Sequence, residues 1–108
     1  MQAKQYSLVA DIGGTNARFA LVDESGSAPI EPRNLRCAEY PTLVDAVRTY
    51  LDQVALGEPW QAAMSVASPV TGDQLNMTNH SWSFSVRQTR EDLGLQHLKV
   101  INDYTALA

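Results

Sequence analysis

Two polar segments of the sequence have residue types suited to chemistry on phosphates. The first covers residues 11–16, reads Asp-Ile-Gly-Gly-Thr-Asn and lies between two apolar stretches. The adjacent glycines let the backbone turn tightly and approach a ligand closely, and their amide hydrogens can face phosphate oxygens. Asp11 is placed to act on a magnesium ion through intervening waters, since a bare carboxylate would repel phosphate. We therefore expect a phosphate-binding loop with Mg²⁺ beside it.

The same glycines have a purely structural explanation. Gly-Gly between two strands is typical of a tight hairpin turn that binds no ligand. The common nucleotide loops fit less well, because no lysine follows as GxxxxGK[ST] requires, and a strand follows where GxGxxG needs a helix. The residues alone leave a hairpin and a phosphate loop open and disfavour those two motifs.

The second segment is Asn102-Asp103, at the carboxyl end of a predicted strand. Ligands of α/β sheets bind in the crevice outside the carboxyl ends of strands, and phosphoryl transfer needs a group that takes one proton. Asp103 is a candidate for that base. The alternative is that Asn102 or Asp103 caps a helix that begins at Tyr104, which is a common role for both residue types.

Five segments have the composition of strands and two have that of helices. Strands are expected at residues 6–10, 17–23, 34–38, 62–68 and 98–101, the fourth of them covered on both faces. Helices are expected after the capping residues Thr42 and Ser85, ending at Gly57 and at Leu93-Gly94. Two short strands, 74–77 and 82–84, are expected on either side of Asn79.

The order of these elements predicts the fold class. Three strands in an antiparallel meander are followed by crossover helices that make the later strands parallel, which gives a mixed five-stranded α/β sheet. With 108 residues and no internal linker, we expect residues 1–108 to form one domain. Residues 104–108 resemble the first turn of a helix with no stop signal, as if a longer chain had been cut.

Composition and charge narrow the functional classes. The net charge is −4 and the eight basic residues are scattered, which disfavours nucleic-acid binding. No apolar run approaches the roughly 20 residues of a membrane span. A single cysteine, Cys37, and the lack of an export signal favour a cytoplasmic protein. The oligomeric state is left open, a homodimer included.

Three segments together resemble one protein family. Residues 11–18 are similar to the first phosphate motif of sugar kinases in the actin, Hsp70 and hexokinase superfamily, whereas residues 77–85 and 100–106 resemble bacterial glucokinases of the enterobacterial type. The resemblance implies an actin-like ATPase, or ribonuclease H-like, domain. It also implies that this is the smaller, N-terminal domain of a two-domain enzyme whose larger C-terminal domain is missing.

The resemblance further implies an activity and the residues that carry it. The activity is ATP-dependent phosphorylation of glucose at its 6-hydroxyl, with ATP, Mg²⁺ and glucose bound in the cleft between the two domains. Asp103 would be the catalytic base, and Asn102 and Asn79 would contact the sugar. The nucleotide-binding residues would be Ala10, Asp11, Ile12, Gly13, Gly14, Thr15 and Asn16. The alternatives are a non-catalytic sugar- or nucleotide-binding module of the same fold, or a kinase for another hexose.

A first prediction concerns the 108 residues by themselves. Half of a cleft cannot exclude water or orient two substrates, so we expect this polypeptide alone to have little or no kinase activity. A coupled assay for glucose 6-phosphate measures this directly. Turnover by the isolated polypeptide near that of a complete enzyme would contradict the prediction.

Overall fold

A computed structural model describes residues 5–25, 28–67, 72–77 and 82–102. Asn79, Asp103 and the predicted helix start at Tyr104 lie outside these residues. The strands are β1 Tyr6–Ile12, β2 Asn16–Asp23, β3 Ile30–Arg36, β4 Gln61–Val66, β5 Gln74–Asn76, β6 Ser83–Ser85 and β7 His97–Asn102. The helices are α1 Leu43–Val54 and α2 Val86–Asp92, and a 3₁₀ turn covers Cys37–Glu39.

Five strands form one mixed sheet in the order β3-β2-β1-β4-β7. β1 pairs antiparallel with β2 and parallel with β4, and β4 pairs parallel with β7. The predicted antiparallel meander followed by parallel strands is confirmed. Since β1, β4 and β7 run in the same direction, the carboxyl ends of all three lie at the same edge of the sheet.

Strand β3 begins and ends earlier than the sequence suggested. The expected strand was 34–38, whereas the structure has Ile30–Arg36 with Pro32 inside it, and Cys37 opens the 3₁₀ turn. Since β3 is an edge strand, it can hold a proline whose missing N–H is not required for pairing. Pro32 therefore belongs to the strand.

Helix α1 covers one face of the sheet. Thr42 caps it as expected, and its buried residues recur at helical spacing: Leu43, Ala46, Val47, Tyr50 and Leu51. The helix ends at Val54, because Ala55 takes the left-handed conformation at φ 54°, before the predicted stop at Gly57. The rings of Tyr50 and Phe19 stack with centroids 5.4 Å apart, which ties α1 to β2.

The other face of the sheet is not covered by the described elements. Along β4, Ala62, Met64 and Val66 are buried beneath the helices, whereas Ala63 is exposed and Ser65 is half-buried. The expectation that β4 is covered on both faces is therefore wrong for the described part of the chain. α1 contributes buried residues to the core on the opposite side, and Val86 of α2 packs against that core partly buried.

A small hairpin of β5 and β6 carries the segment that includes Asn79. Asp73, just before β5, accepts hydrogen bonds from the Ser85 hydroxyl and, at 2.8 Å, from the Arg87 amide at the start of α2. These bonds, the one from Ser85 first, lower the pKa of Asp73. Trp82 Nε1 donates to the Tyr40 carbonyl at 2.9 Å, which anchors the hairpin to the main body.

The buried hydroxyl of Tyr50 generates a prediction about stability. It donates to the Glu31 carbonyl at 2.7 Å, and burial raises its pKa to about 12. The pKa of Tyr50 is higher in the folded protein than in the unfolded chain, where it is about 10. The stabilisation that its protonated hydroxyl provides is therefore complete below pH 10 and is lost as the pH rises toward 12. We expect Tyr50→Phe to lower the free energy of unfolding by about 1 kcal/mol at pH 7 and to weaken the alkaline decline.

Urea unfolding at pH 7 and between pH 10 and 11 measures both effects. Tyr6→Phe on β1 is the control, and it should keep the alkaline decline because Tyr50 is intact. An unchanged alkaline profile in Tyr50→Phe would refute the role of this hydroxyl.

Candidate functional site

The segment predicted to bind phosphates is the turn between β1 and β2. The Gly13 amide donates to the Asn16 carbonyl at 2.9 Å and closes the turn. A Cβ placed on Gly13 would lie 3.3 Å from the same Asn16 oxygen, which is a tight contact. Gly13 is therefore explained by the geometry of the turn itself. The hairpin is confirmed, and a hairpin of this kind remains compatible with ligand binding.

Cys37 orients the peptide groups of this turn. Its amide donates to the Thr15 carbonyl at 2.9 Å, and its Sγ lies 3.7 Å from the Gly13 carbonyl as a weak donor. In a trans peptide the N–H points opposite to the C=O, and the described residues contain no cis peptide. The amides of Gly14 and Asn16 consequently point away from Cys37, on the side where successive N–H groups can bind an anion.

The side chain of Asn16 is held by β3. Asn34 Nδ2 donates to Asn16 Oδ1 at 3.1 Å, and the register places Asn34 opposite Arg18. The sequence analysis placed Asn34 and Cys37 in an expected strand and assigned neither of them a role at this turn. No local pattern indicates either, because both act on the turn through the pairing of β3 with β2.

Asp11 lies on the uncovered face of the sheet. It is exposed, and its cross-strand neighbours are Arg18 on β2 and Ser65 on β4. Asp11 and Arg18 line one cavity of about 470 Å³. An exposed carboxylate at a strand end fits Mg²⁺, which proteins usually bind through one or two carboxylates while waters and phosphates complete the shell. In the described part of the chain no group of three or more acidic, His or Cys residues forms a metal cage.

Asn102 lies at the same edge of the sheet but on its other face. The register aligns Asn102 with Val66 and Ile12, which belong to the helix-covered face. Asn102 is half-buried, and two strand spacings put its Cα roughly 10 Å from that of Ile12. The structure thus brings the turn between β1 and β2 and Asn102 to one edge. Asp103 and Asn79 lie outside the described residues, so their roles stay predictions.

The sequence of the chain matches the family model described as glucokinase over residues 8–108. This chain belongs to the glucokinase family. The resemblance inferred from the phosphate motif and the two later segments is thereby confirmed. Within the described residues, no helix is long and apolar enough to cross a membrane.

Individual members of the family are similar over almost the whole chain. A glucokinase of Aromatoleum aromaticum is 51% identical over 94% of the chain, and the match covers 31% of that protein. A bifunctional protein glk of Burkholderia thailandensis is 56% identical over 94% of the chain, and the match covers 16% of that protein. The chain therefore spans a third or less of the length of these relatives.

Solved structures show the same fold. A crystal structure of a glucokinase from an Antarctic psychrotroph covers 96% of the chain with a TM-score of 0.85 at 38% identity, and the match spans 34% of that protein. A glucokinase of Balamuthia mandrillaris, solved in complex with glucose, matches at a TM-score of 0.66 and 22% identity. The second likeness, at this low identity, concerns the fold alone. The actin-like kinase fold expected from the sequence is confirmed.

The position of Cys37 predicts its reactivity. The side chain is buried, and burial raises the pKa of its thiol, although its backbone hydrogen bond acts in the opposite direction. Since the thiolate is the reactive form, we expect iodoacetamide at pH 8 to modify Cys37 at least about 10-fold more slowly in the folded protein than in urea. Mass spectrometry of the peptide containing Cys37 gives both rates, and equal rates would show that the contact with the turn is not maintained.

Proposed function

We propose that this chain is the N-terminal, smaller domain of a longer glucokinase that transfers the terminal phosphate of ATP to the 6-hydroxyl of glucose. Membership of the glucokinase family supports the reaction. The observation that carries the proposal is the turn between β1 and β2, whose carbonyls are held by Cys37 so that the Gly14 and Asn16 amides face away from it. A kinase must hold phosphates at fixed positions, and this turn can do so.

The phosphate site consists of the turn and the strand that leads into it. The proposed nucleotide contacts are Ala10, Asp11, Ile12, Gly13, Gly14, Thr15 and Asn16. Bound Mg²⁺ would neutralise charge between the phosphates, which is the chemistry that this reaction needs from a metal. Asp11 is the proposed residue on the metal side and would act through bound waters. The backbone amides of Gly14 and Asn16 would stabilise negative charge on phosphate oxygens.

The sugar side is proposed at the carboxyl end of β7. Asn102 would hydrogen-bond hydroxyls of glucose, and Asn79 would add a contact from the segment between β5 and β6. Asp103 would take the proton of the 6-hydroxyl while the hydroxyl oxygen forms a bond to the terminal phosphorus and the bond from that phosphorus to the ADP oxygen breaks. This assignment is supported by the placement of Asn102 at the same sheet edge as the phosphate turn.

The rest of the enzyme would come from the polypeptide outside residues 1–108. The relatives are much longer than this chain, which supports a second, larger domain that supplies the adenosine pocket and further sugar contacts. A cytoplasmic location is also proposed, and it is supported by the single cysteine, Cys37, which is free and buried.

The proposed base can be tested in the complete enzyme with Asp103→Asn. Because an amide cannot take the hydroxyl proton, we expect turnover to fall by about 10²-fold or more while glucose binding is largely retained. A coupled assay for glucose 6-phosphate gives the turnover, and titration calorimetry gives glucose binding. Asp52→Asn is the matched control, because Asp52 is an exposed carboxylate on α1, away from the proposed site.

Three outcomes would contradict parts of the proposal. Unchanged turnover in Asp103→Asn would remove Asp103 from its role. Wild-type enzyme that binds glucose and does not phosphorylate it would favour a non-catalytic module. Preferential turnover of mannose or fructose over glucose would identify a kinase for another hexose.

A further inference from the structure

Trp82 is a buried side chain to which the proposed reaction gives no role. It is 2% exposed and lies immediately before β6. Its indole Nε1 donates to the Tyr40 carbonyl at 2.9 Å, and its own carbonyl accepts from the Met77 amide at 3.0 Å. Trp82 therefore joins the hairpin of β5 and β6 to a peptide group of the main body.

The hairpin depends on such a connection for its orientation. Within the described residues, β5 and β6 pair with each other in a two-stranded sheet separate from the five-stranded one. The bond between Met77 and Trp82 extends this pairing by one step beyond Asn76 and Ser83. At its other end the hairpin runs directly into α2. The contact of the indole with Tyr40 thus holds the end of the hairpin that lies away from α2.

Tyr40 ends a short segment whose first residue holds the turn between β1 and β2. The Cys37 amide donates to the Thr15 carbonyl at 2.9 Å, and Cys37 Sγ contacts the Gly13 carbonyl. The Tyr40 amide donates to the Cys37 carbonyl at 3.1 Å and closes the 3₁₀ turn. A 3₁₀ helix rises about 2 Å per residue, so roughly 6 Å separates the two residues. The indole and the turn therefore restrain the two ends of one short, hydrogen-bonded segment.

Helix α1 does not include the Tyr40 carbonyl in its hydrogen bonds. The first helical bond runs from the Ala46 amide to the carbonyl of Thr42, which caps the helix, at 3.2 Å. Tyr40 precedes this cap and has an extended backbone, with φ −129° and ψ 131°, as is usual for a residue before proline. Its carbonyl is therefore held by the indole of Trp82 and not by the helical ladder.

The alternative is that Trp82 only fills space in the core. A buried tryptophan N–H usually has a hydrogen-bond partner, and a carbonyl anywhere within reach would satisfy it. Here the acceptor belongs to the segment that begins at Cys37 and orients the turn. A packing role depends on the volume of the ring, whereas a positioning role depends on the N–H. Removing the donor without changing the volume therefore separates the two roles.

We propose that Trp82 is a positioning residue for ATP. By holding the Tyr40 carbonyl, its indole N–H fixes the segment that begins at Cys37, and this segment keeps the amides of the turn between β1 and β2 directed at the phosphates. The inference rests on the proposal that this turn binds the phosphates of ATP. Donors that are already oriented bind more tightly, because less conformational freedom is lost when the ligand binds.

The test removes the indole donor in the complete, longer enzyme. Benzothienylalanine in place of Trp82 keeps the size and shape of the side chain but has a sulfur atom where the indole has its N–H. Trp82→Phe is a second variant made with an ordinary residue. The same two replacements of Trp60 are the matched controls. Trp60 is half-buried and lies just before β4, at the opposite edge of the sheet from the turn, and its ring meets that of His97 edge-on with centroids 5.9 Å apart.

Two measurements report on ATP binding and on the segment. With benzothienylalanine at position 82, we expect the affinity for a non-hydrolysable ATP analogue to fall and the KM for ATP to rise by about 5-fold, with kcat changed less than about 2-fold, because one hydrogen bond that supports binding is lost. Alkylation of Cys37 is expected to become about 3-fold faster, because its segment opens more often. Trp82→Phe should change both quantities at least as much, and the variants at position 60 should keep the wild-type values.

The outcomes that overturn the inference differ from those that overturn the proposed function. Unchanged ATP affinity with benzothienylalanine at position 82, in an enzyme that phosphorylates glucose, would reject the inference and leave the function standing. Weaker ATP binding in Trp82→Phe but not with benzothienylalanine would assign Trp82 to packing and also reject it. A fall in kcat at unchanged ATP affinity would have the same meaning. Failure of the wild-type enzyme to bind ATP would overturn the proposed function, and this inference with it.

Discussion

The pairing of β1 on both of its edges is the constraint on which the rest of the structure depends. β1 is bonded antiparallel to β2 and parallel to β4, with each of these ladders reaching Ile12. A slip of one residue would turn Leu8 and Ile12 from the core to the face that the described elements leave uncovered, so the register is strongly specified. Once it is set, the glycine turn must follow at the carboxyl edge of the sheet, where β4 and β7 also end.

The turn depends next on a contact that is remote in sequence. Cys37 lies 24 residues beyond Gly13 and reaches its carbonyl, while its amide bonds Thr15. These bonds orient peptide groups that would otherwise form hydrogen bonds with water. Their cost in conformational entropy is small, because the pairing of β3 with β2 already brings the chain back beside the turn. The orientation of the amides is thus set by the end of an edge strand and by a buried thiol.

The residues proposed for the functional site lie on both faces of the sheet. Asp11 and Arg18 lie together on the face that the described elements leave uncovered, and Asn102 aligns with the helix-covered face at the same edge. A ligand held between the turn and Asn102 would therefore extend across the end of the sheet rather than along either face. This arrangement suits a cleft whose opposite wall belongs to another domain, which is consistent with the length of the glucokinase relatives.

The sequence by itself determined the element order, the mixed sheet, the caps at Thr42 and Ser85 and the family, because these follow from local patterns of apolar residues, capping residues and a contiguous motif. It misjudged β3 and, within the described residues, the cover over β4, because whether a strand is at an edge and whether a face is buried depend on which strands pair. Only the tertiary structure decided that Asn34 and Cys37 hold the turn between β1 and β2 and that Asp11 and Asn102 lie on opposite faces. These facts arise from hydrogen bonds and registers between segments 18 or more residues apart, and no local pattern in a sequence records them.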